Sequence, residues 1–284
     1  MHPEDPWRNA RQHAKPTPAR GPTAKPVLVA TASGVDPRRE QRQRELRLFG
    51  VNACLAVFAQ RPQAIRKIYL LESMLPRFRA VLAWCAQARI GYRLVAATDL
   101  VKLTQSEHHE GVCFEVLQAP PLSLEALLEP LKSQSRSWLV WLDGVGNPHN
   151  FGAILRTAAH FGCHGLILSQ ADPLELSGAA VRVAEGGAEV VPIARVGVGL
   201  NALATLKAHG YQSIATVVRD GANLFQAKLS PKLVLLIGAE ATGLSAALIA
   251  ACDQRLAIPG TGAVDSLNVA AAFAVCAARI AQTR

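Results

Sequence analysis

The chain has 284 residues, half of them hydrophobic and 18% charged, which excludes wholesale disorder and leaves room for about two domains with a sizeable core. Its formal net charge of +9 favours a polyanionic partner, with nucleic acid ahead of an anionic membrane. Six scattered cysteines, Cys54, Cys85, Cys113, Cys163, Cys252 and Cys276, form no C-x-x-C pair or Cys/His cluster, which argues against a zinc site and a disulfide framework. The start, Met1-His-Pro-Glu-Asp5, lacks the apolar core of a secretory signal, and the longest apolar run, Val269 to Ile280, is too short to span a bilayer. A cytoplasmic protein without metal or membrane anchor is expected. Residues 1–45 form a proline-rich basic tail, read as disordered with a short helix near 37–47. Residues 46–118 alternate as a small α/β domain. Helices are expected over Leu48–Ala59 and Arg77–Ala88, with a third over Leu100–Leu103 capped by Thr98. Strands are expected over Ile65–Leu71, Tyr92–Val95 and Val112–Leu117. Residues 119–137 are a linker with a helix over Leu124–Leu131.

Residues 138–284 continue the rhythm. Strands are expected at Trp138–Leu142, Gly165–Leu168, Val190–Val196, Gln212–Val218, Leu233–Ile237 and Gln254–Ile258. Helices are expected at Asn150–Phe161, Ser177–Ala184, Leu200–Ala208, Ser245–Ala251 and Leu267–Ile280. Alternating strands and helices imply a parallel sheet covered on both faces, with ligands at the carboxyl ends of its strands. Gly197-Val-Gly199-Leu-Asn-Ala202 fits the dinucleotide pattern G-x-G-x-x-A, and Asp220 follows about 20 residues later. This supports a rival reading, an NAD-dependent oxidoreductase. Against it, the match sits at the third or fourth strand instead of the first.

Three segments at strand exits carry the chemistry. In Leu142-Asp-Gly-Val-Gly-Asn-Pro-His-Asn-Phe-Gly-Ala-Ile-Leu-Arg-Thr-Ala158, Asn150 stands where an N-cap belongs. Arg156 lies deeper in the same helix and must find a partner or reach solvent. Six positions apart, the two need not share a face. In Leu235-Leu-Ile-Gly-Ala-Glu-Ala-Thr-Gly-Leu-Ser245, Glu240 follows a buried strand and is costly there unless hydrogen-bonded. Gly238 and Gly243 permit close backbone approach to a ligand. In Ile258-Pro-Gly-Thr-Gly-Ala-Val-Asp-Ser-Leu-Asn-Val-Ala270, Ser266 is expected to cap the last helix, and Asn268 needs a partner at its mouth.

Together the three segments resemble the motifs of the SpoU (TrmH-like) family of SPOUT RNA methyltransferases. Asn150, Gly152 and Arg156 match the first. Gly238, Glu240 and Gly243 match the second. Ile258, Pro259, Gly262, Ser266, Leu267, Asn268 and Val269 match the third. Residues 46–118, with Phe49-Gly-Val-Asn-Ala53 and His109-Glu-Gly111, are similar to the L30e-like RNA-binding domain of ribosomal-RNA members. The chain departs from common family residues at Ala239, Gly260 and Ala270. The resemblance implies an α/β fold with a C-terminal trefoil knot, a homodimer, and 2′-O-methylation of RNA by S-adenosylmethionine, with ribosomal RNA favoured over transfer RNA. It implies that Gly238, Gly243, Ile258, Gly262 and Leu267 hold the cofactor. The catalytic candidates are Arg156, Asn150, Glu240, Ser266 and Asn268. Since arginine stays protonated, Arg156 is expected to donate to the developing alkoxide or a phosphate. Asn150, Ser266 and Asn268 are expected to orient the ribose, with Glu240 fixing Arg156 or Asn150. The C-terminal helix, with Phe273 and Val275, is expected to pack in the dimer. An RNA-binding relative without turnover is the other alternative.

Overall fold

The structure, a computed structural model, describes residues 45–283. Most of the expected tail and most of its short helix therefore lie outside the described residues. The first described strand begins at Glu45.

The first unit is a four-stranded sheet ordered β1-β4-β2-β3. It comprises β1 (Glu45–Phe49), β2 (Ile65–Leu70), β3 (Gly91–Leu94) and β4 (Val112–Leu117), with helices α1 (Val51–Gln60), α2 (Arg79–Ala88) and α3 (Ala97–Thr104). The helix expected over Leu48–Ala59 is a correction: Leu48 and Phe49 belong to β1. Gly50, at φ 94°, turns the chain from strand to helix, a conformation that glycine adopts without steric cost. The strand forms because it pairs antiparallel with β4, Leu48 opposite Phe114. This also replaces helix by strand at 45–47. Thr98 lies inside α3, whose cap position is Ala96.

The second unit is a seven-stranded parallel sheet ordered β7-β6-β5-β10-β8-β11-β9. Its strands are β5 (Ser137–Asp143), β6 (Leu166–Ser169), β7 (Ile193–Val196), β8 (Gln212–Thr216), β9 (Ala222–Asn223), β10 (Lys232–Gly238) and β11 (Gln254–Ala257). The central β5 is buried on both sides. Trp138, Val140 and Leu142 meet the layer formed by α5 (Pro148–His160), α6 (Gly178–Ala184) and α9 (Val269–Gln282). Leu139 and Trp141 meet α4 (Leu124–Leu128), α7 (Gly199–Ala208) and α8 (Ala246–Ala251). Each fully buried large apolar side chain contributes roughly 1.5–3 kcal/mol.

Two further expectations change. The strand expected over Val190–Val196 begins at Ile193, because Gly187–Glu189 forms a 3-10 turn. Phe273 is fully buried against Trp138, with ring centroids 6.1 Å apart. It serves the chain's own core, and Val275 packs beside it, so Phe273 is not available to an interface. No helix of the described residues is long and apolar enough to cross a membrane.

Candidate active site

β5 and β10 run side by side, with Gly238 paired to Asp143. Their carboxyl ends therefore deliver the first two sequence segments to one place. The third segment arrives from β11 and enters α9 beside them.

Glu240 is the hub. Its Oε1 accepts hydrogen bonds from Asn150 Nδ2 (3.1 Å), Asn268 Nδ2 (2.8 Å) and the Val269 backbone N–H (3.3 Å). Asn268 Nδ2 also donates to Asn150 Oδ1 at 3.1 Å. A carboxylate here is satisfied by charge-assisted bonds and by the positive end of α9. Asn268 is the cap of that helix, its Oδ1 accepting from the N–H groups of Ala270 and Ala271. The expected cap, Ser266, is a correction. Ser266 sits exposed in the preceding loop and makes no hydrogen bond among the described residues.

Asn150 is not a cap either. Asn147 caps α5, accepting from the His149 N–H at 2.8 Å, and Pro148 occupies the first helical position. This leaves Asn150 in the first turn, with its amide free to join Glu240. Arg156 lies on the exposed face of α5 and has no hydrogen-bond or ion-pair partner among the described residues. Of the two groups expected on Glu240, only Asn150 is there.

Next to this network lies a cavity of about 480 Å³, within the usual range for small-molecule sites. Gly238, Glu240, Gly243, Ile258, Gly262, Ser266 and Leu267 all line it, whereas Asn150, Arg156 and Asn268 do not. A Cβ on Gly238 would lie 2.1 Å from the Gly243 carbonyl carbon. The close approach there is thus between the two arms of one turn, and a side chain would open it. Nothing lies within 4 Å of the Cβ positions of Gly243, Gly260 and Gly262, so these backbones face open space. Sequence reasoning missed Thr216, Leu224, Ala272 and Cys276, which also line the cavity. Thr216 was findable as the carboxyl end of β8. Ala272 and Cys276 looked like ordinary core positions one turn apart. Burial pushes the Cys276 thiol up to about 12, which keeps that wall uncharged.

The loop after β5 is braced from behind. Asp172 accepts from the Gly144 N–H at 3.3 Å. The loop carrying Asp172 is held by Arg195, which donates to the carbonyls of Ser169 (3.0 Å), Asp172 (2.8 Å) and Leu174. No residue of the dinucleotide-like stretch 197–202 touches the cavity. That stretch follows β7, the edge strand of the sheet.

Residues 137–278 match the model of the SpoU rRNA Methylase family. The chain belongs to the SpoU rRNA methylase family. Residues 47–122 of this SpoU chain match a second model, RNA 2′-O ribose methyltransferase substrate binding. The chain is 37% identical to the Uncharacterized tRNA/rRNA methyltransferase YfiF of Escherichia coli, covering 96% of this chain and 78% of that one. It is 32% identical to the 23S rRNA (guanosine-2′-O-)-methyltransferase RlmB of Haemophilus influenzae, covering 84% and 97%. Among solved structures, an AdoMet-bound rRNA methyltransferase from Sinorhizobium meliloti superposes with TM-score 0.73 at 24% identity, covering 87% and 91%. The SpoU methyltransferase AviRb from Streptomyces viridochromogenes gives 0.70 at 22%, covering 88% and 94%. These two likenesses show a shared fold.

Proposed function

We propose that this SpoU chain is an S-adenosylmethionine-dependent RNA 2′-O-ribose methyltransferase that acts on ribosomal RNA in the cytoplasm as a homodimer. The observation that carries the reading is the meeting of Asn150, Glu240 and Asn268 beside the cavity of about 480 Å³.

The cavity suits the cofactor. Its Leu224, Ile237 and Leu256 walls match an adenine ring, and the open glycine backbones at 243, 260 and 262 match its polar ends. Gly238, Gly243, Ile258, Gly262 and Leu267 would hold it. Bound there, S-adenosylmethionine supplies an electrophilic methyl group.

The remaining work falls to the protein. A ribose hydroxyl is a weak nucleophile, so in-line placement supplies much of the rate. Glu240, locked by three donors, fixes the amides of Asn150 and Asn268. With Ser266, whose hydroxyl is uncommitted, these orient the ribose. Arg156, whose guanidinium has no partner among the described residues, lies on an exposed face, where it would meet an RNA phosphate or the developing alkoxide. The names of the RlmB relatives favour ribosomal RNA as substrate. For the homodimer, the support is Val218, Val264 and Leu267, exposed at 61%, 71% and 47% around the cavity. Apolar groups left open beside a binding site mark a docking surface.

The test is transfer of radiolabelled methyl from S-adenosylmethionine to RNA from a strain lacking this protein, followed by nucleoside analysis. A 2′-O-methylated nucleoside is expected, reduced at least about a hundredfold by Arg156→Ala. Cofactor binding without transfer to any RNA would instead favour an RNA-binding relative without turnover. Full turnover by a folded Arg156→Ala protein would remove Arg156 from the mechanism.

A further inference from the structure

The segment 177–189, comprising α6 and the 3-10 turn after it, belongs to two cores at once. Ala180 and Ala184 sit in the core of the catalytic unit, whereas Val181 sits in the core of the substrate-binding unit. Both faces are packed at backbone distance. Towards the first unit, a Cβ on Gly178 would lie 2.4 Å from the Arg47 carbonyl, and one on Gly186 would lie 2.9 Å from Ala56 Cβ. Towards α5, a Cβ on Gly152 would lie 2.4 Å from the Ala180 carbonyl. One on Gly187 would lie 2.7 Å from the Leu155 carbonyl and 3.0 Å from Arg156 Cα. The segment therefore presses directly on the backbone of Arg156.

The same segment is pinned by charge. The Glu189 carboxylate, only 7% exposed, receives a two-pronged contact from Arg61, Nε to Oε2 at 2.5 Å and Nη2 to Oε1 at 2.8 Å. Arg61 also donates to the Leu117 carbonyl at the end of β4. The planar guanidinium fork fixes angle as well as distance.

We propose that residues 177–189 are a fixed wedge. They set the separation and angle between the RNA-binding unit and α5, so that RNA gripped by the first unit presents its ribose to Asn150 and Arg156. Arg61 and Glu189 are positioning residues that act through this wedge. The inference rests on the methyltransferase reading above.

The experiment compares Glu189→Arg, Arg61→Glu and the double exchange in the full chain. Spin labels at Gln87→Cys and Ala204→Cys, two exposed helix positions, one on each unit, report the distance between the units. S-adenosylmethionine affinity is measured by calorimetry and methyl transfer by initial rates. The wild type should give a narrow distance distribution. Each single reversal should broaden it and lower kcat/KM for RNA roughly tenfold at unchanged S-adenosylmethionine affinity. The double exchange should move both back towards the wild type, short of full recovery because a carboxylate at 61 cannot donate to the Leu117 carbonyl. Glu189→Gln, which keeps the size and removes the charge, should shift the same readings less. A narrow distribution and normal RNA kinetics in the single reversals would overturn the proposal. So would a broadened distribution with unchanged RNA kinetics. A wild type that methylates no RNA overturns the methyltransferase reading instead, and the distance distribution then still decides whether the wedge is rigid.

Discussion

Asn268 performs two jobs with one amide. Its oxygen caps α9 and its nitrogen bridges Asn150 and Glu240. Asn268→Ala should therefore cost about 1–2 kcal/mol of stability through the lost cap, measured by urea unfolding, and should also depress methyl transfer. Asn268→Asp keeps the cap acceptor but places a second carboxylate against Glu240. It should depress transfer with a smaller loss of stability, and equal transfer by both variants and the wild type would argue that the amide bridge is irrelevant to turnover. At this scale the sequence picked out three polar residues that the fold brings together, Asn150, Glu240 and Asn268, and assigned the two helix caps to the wrong residues. Asn147 and Asn150 are equally good caps by type. The signal that separates them, Pro148 at the first helical position, was present. Ser266 and Asn268 are likewise both capable of capping. The deciding fact, that Val269 is the first buried residue of the helix, depends on packing.

Strands and helices of the catalytic unit were legible because their apolar runs are long and their ends carry glycine or a capping residue. The failures fall where a distant partner decides. Leu48 and Phe49 read as the opening of a helix, and only pairing with β4, more than sixty residues on, makes them strand. Phe273 read as surface for a dimer, and only Trp138, on the sheet face that α9 covers, claims it. Long-range ties also govern how this sheet responds to acid. Asp253, before β11, accepts from the Ser213 N–H (2.8 Å) and hydroxyl (2.7 Å) of β8 and pairs with Lys207 at 2.9 Å. Burial acts to raise its carboxyl, but the bonds from Ser213 and Lys207 outweigh it and hold the group below its ordinary value of 3.8. A carboxylate depressed in the folded state stabilises above that ordinary value and loses its contribution as pH falls through the lower, folded one. The thermal midpoint of Asp253→Asn should thus lie below that of the wild type near neutral pH, and the gap should close as pH falls below 3.8. A gap constant with pH would show that the carboxylate's charge is not what joins the strands.

Seen whole, the chain is a basic molecule in which the unit that matches the substrate-binding model and the unit that matches the methylase model share one segment of structure. With a net charge of +9, its grip on RNA should weaken steeply with salt, log affinity falling linearly with log salt concentration at a slope set by the number of phosphates neutralised. Filter binding across about 50–200 mM salt measures it. An affinity insensitive to salt would mean that base contacts, not phosphates, dominate. The charge balance was legible in composition, but the sharing of α6 between two cores was not. Val181, Ala180 and Ala184 differ little in type, and only the assembled fold assigns them to different neighbours.

The position of β10 bears on how the molecule is made. It lies between β5 and β8, pairing with both, yet it is synthesised after either. Until the ribosome has delivered it, β5 presents an open, apolar edge to the vacant slot, and β8, whose other neighbour β11 comes later still, is unpaired on both sides. Such edges are templates for foreign strands, and closing them needs contacts far apart in sequence, which form slowly. A nascent chain halted before Lys232 therefore carries the open edge of β5 and a wholly unpaired β8 in place of a finished sheet. The stretch that brings Glu240 to the site is therefore also the one that closes the slot between β5 and β8, and it shortens the time in which an exposed edge can misassociate.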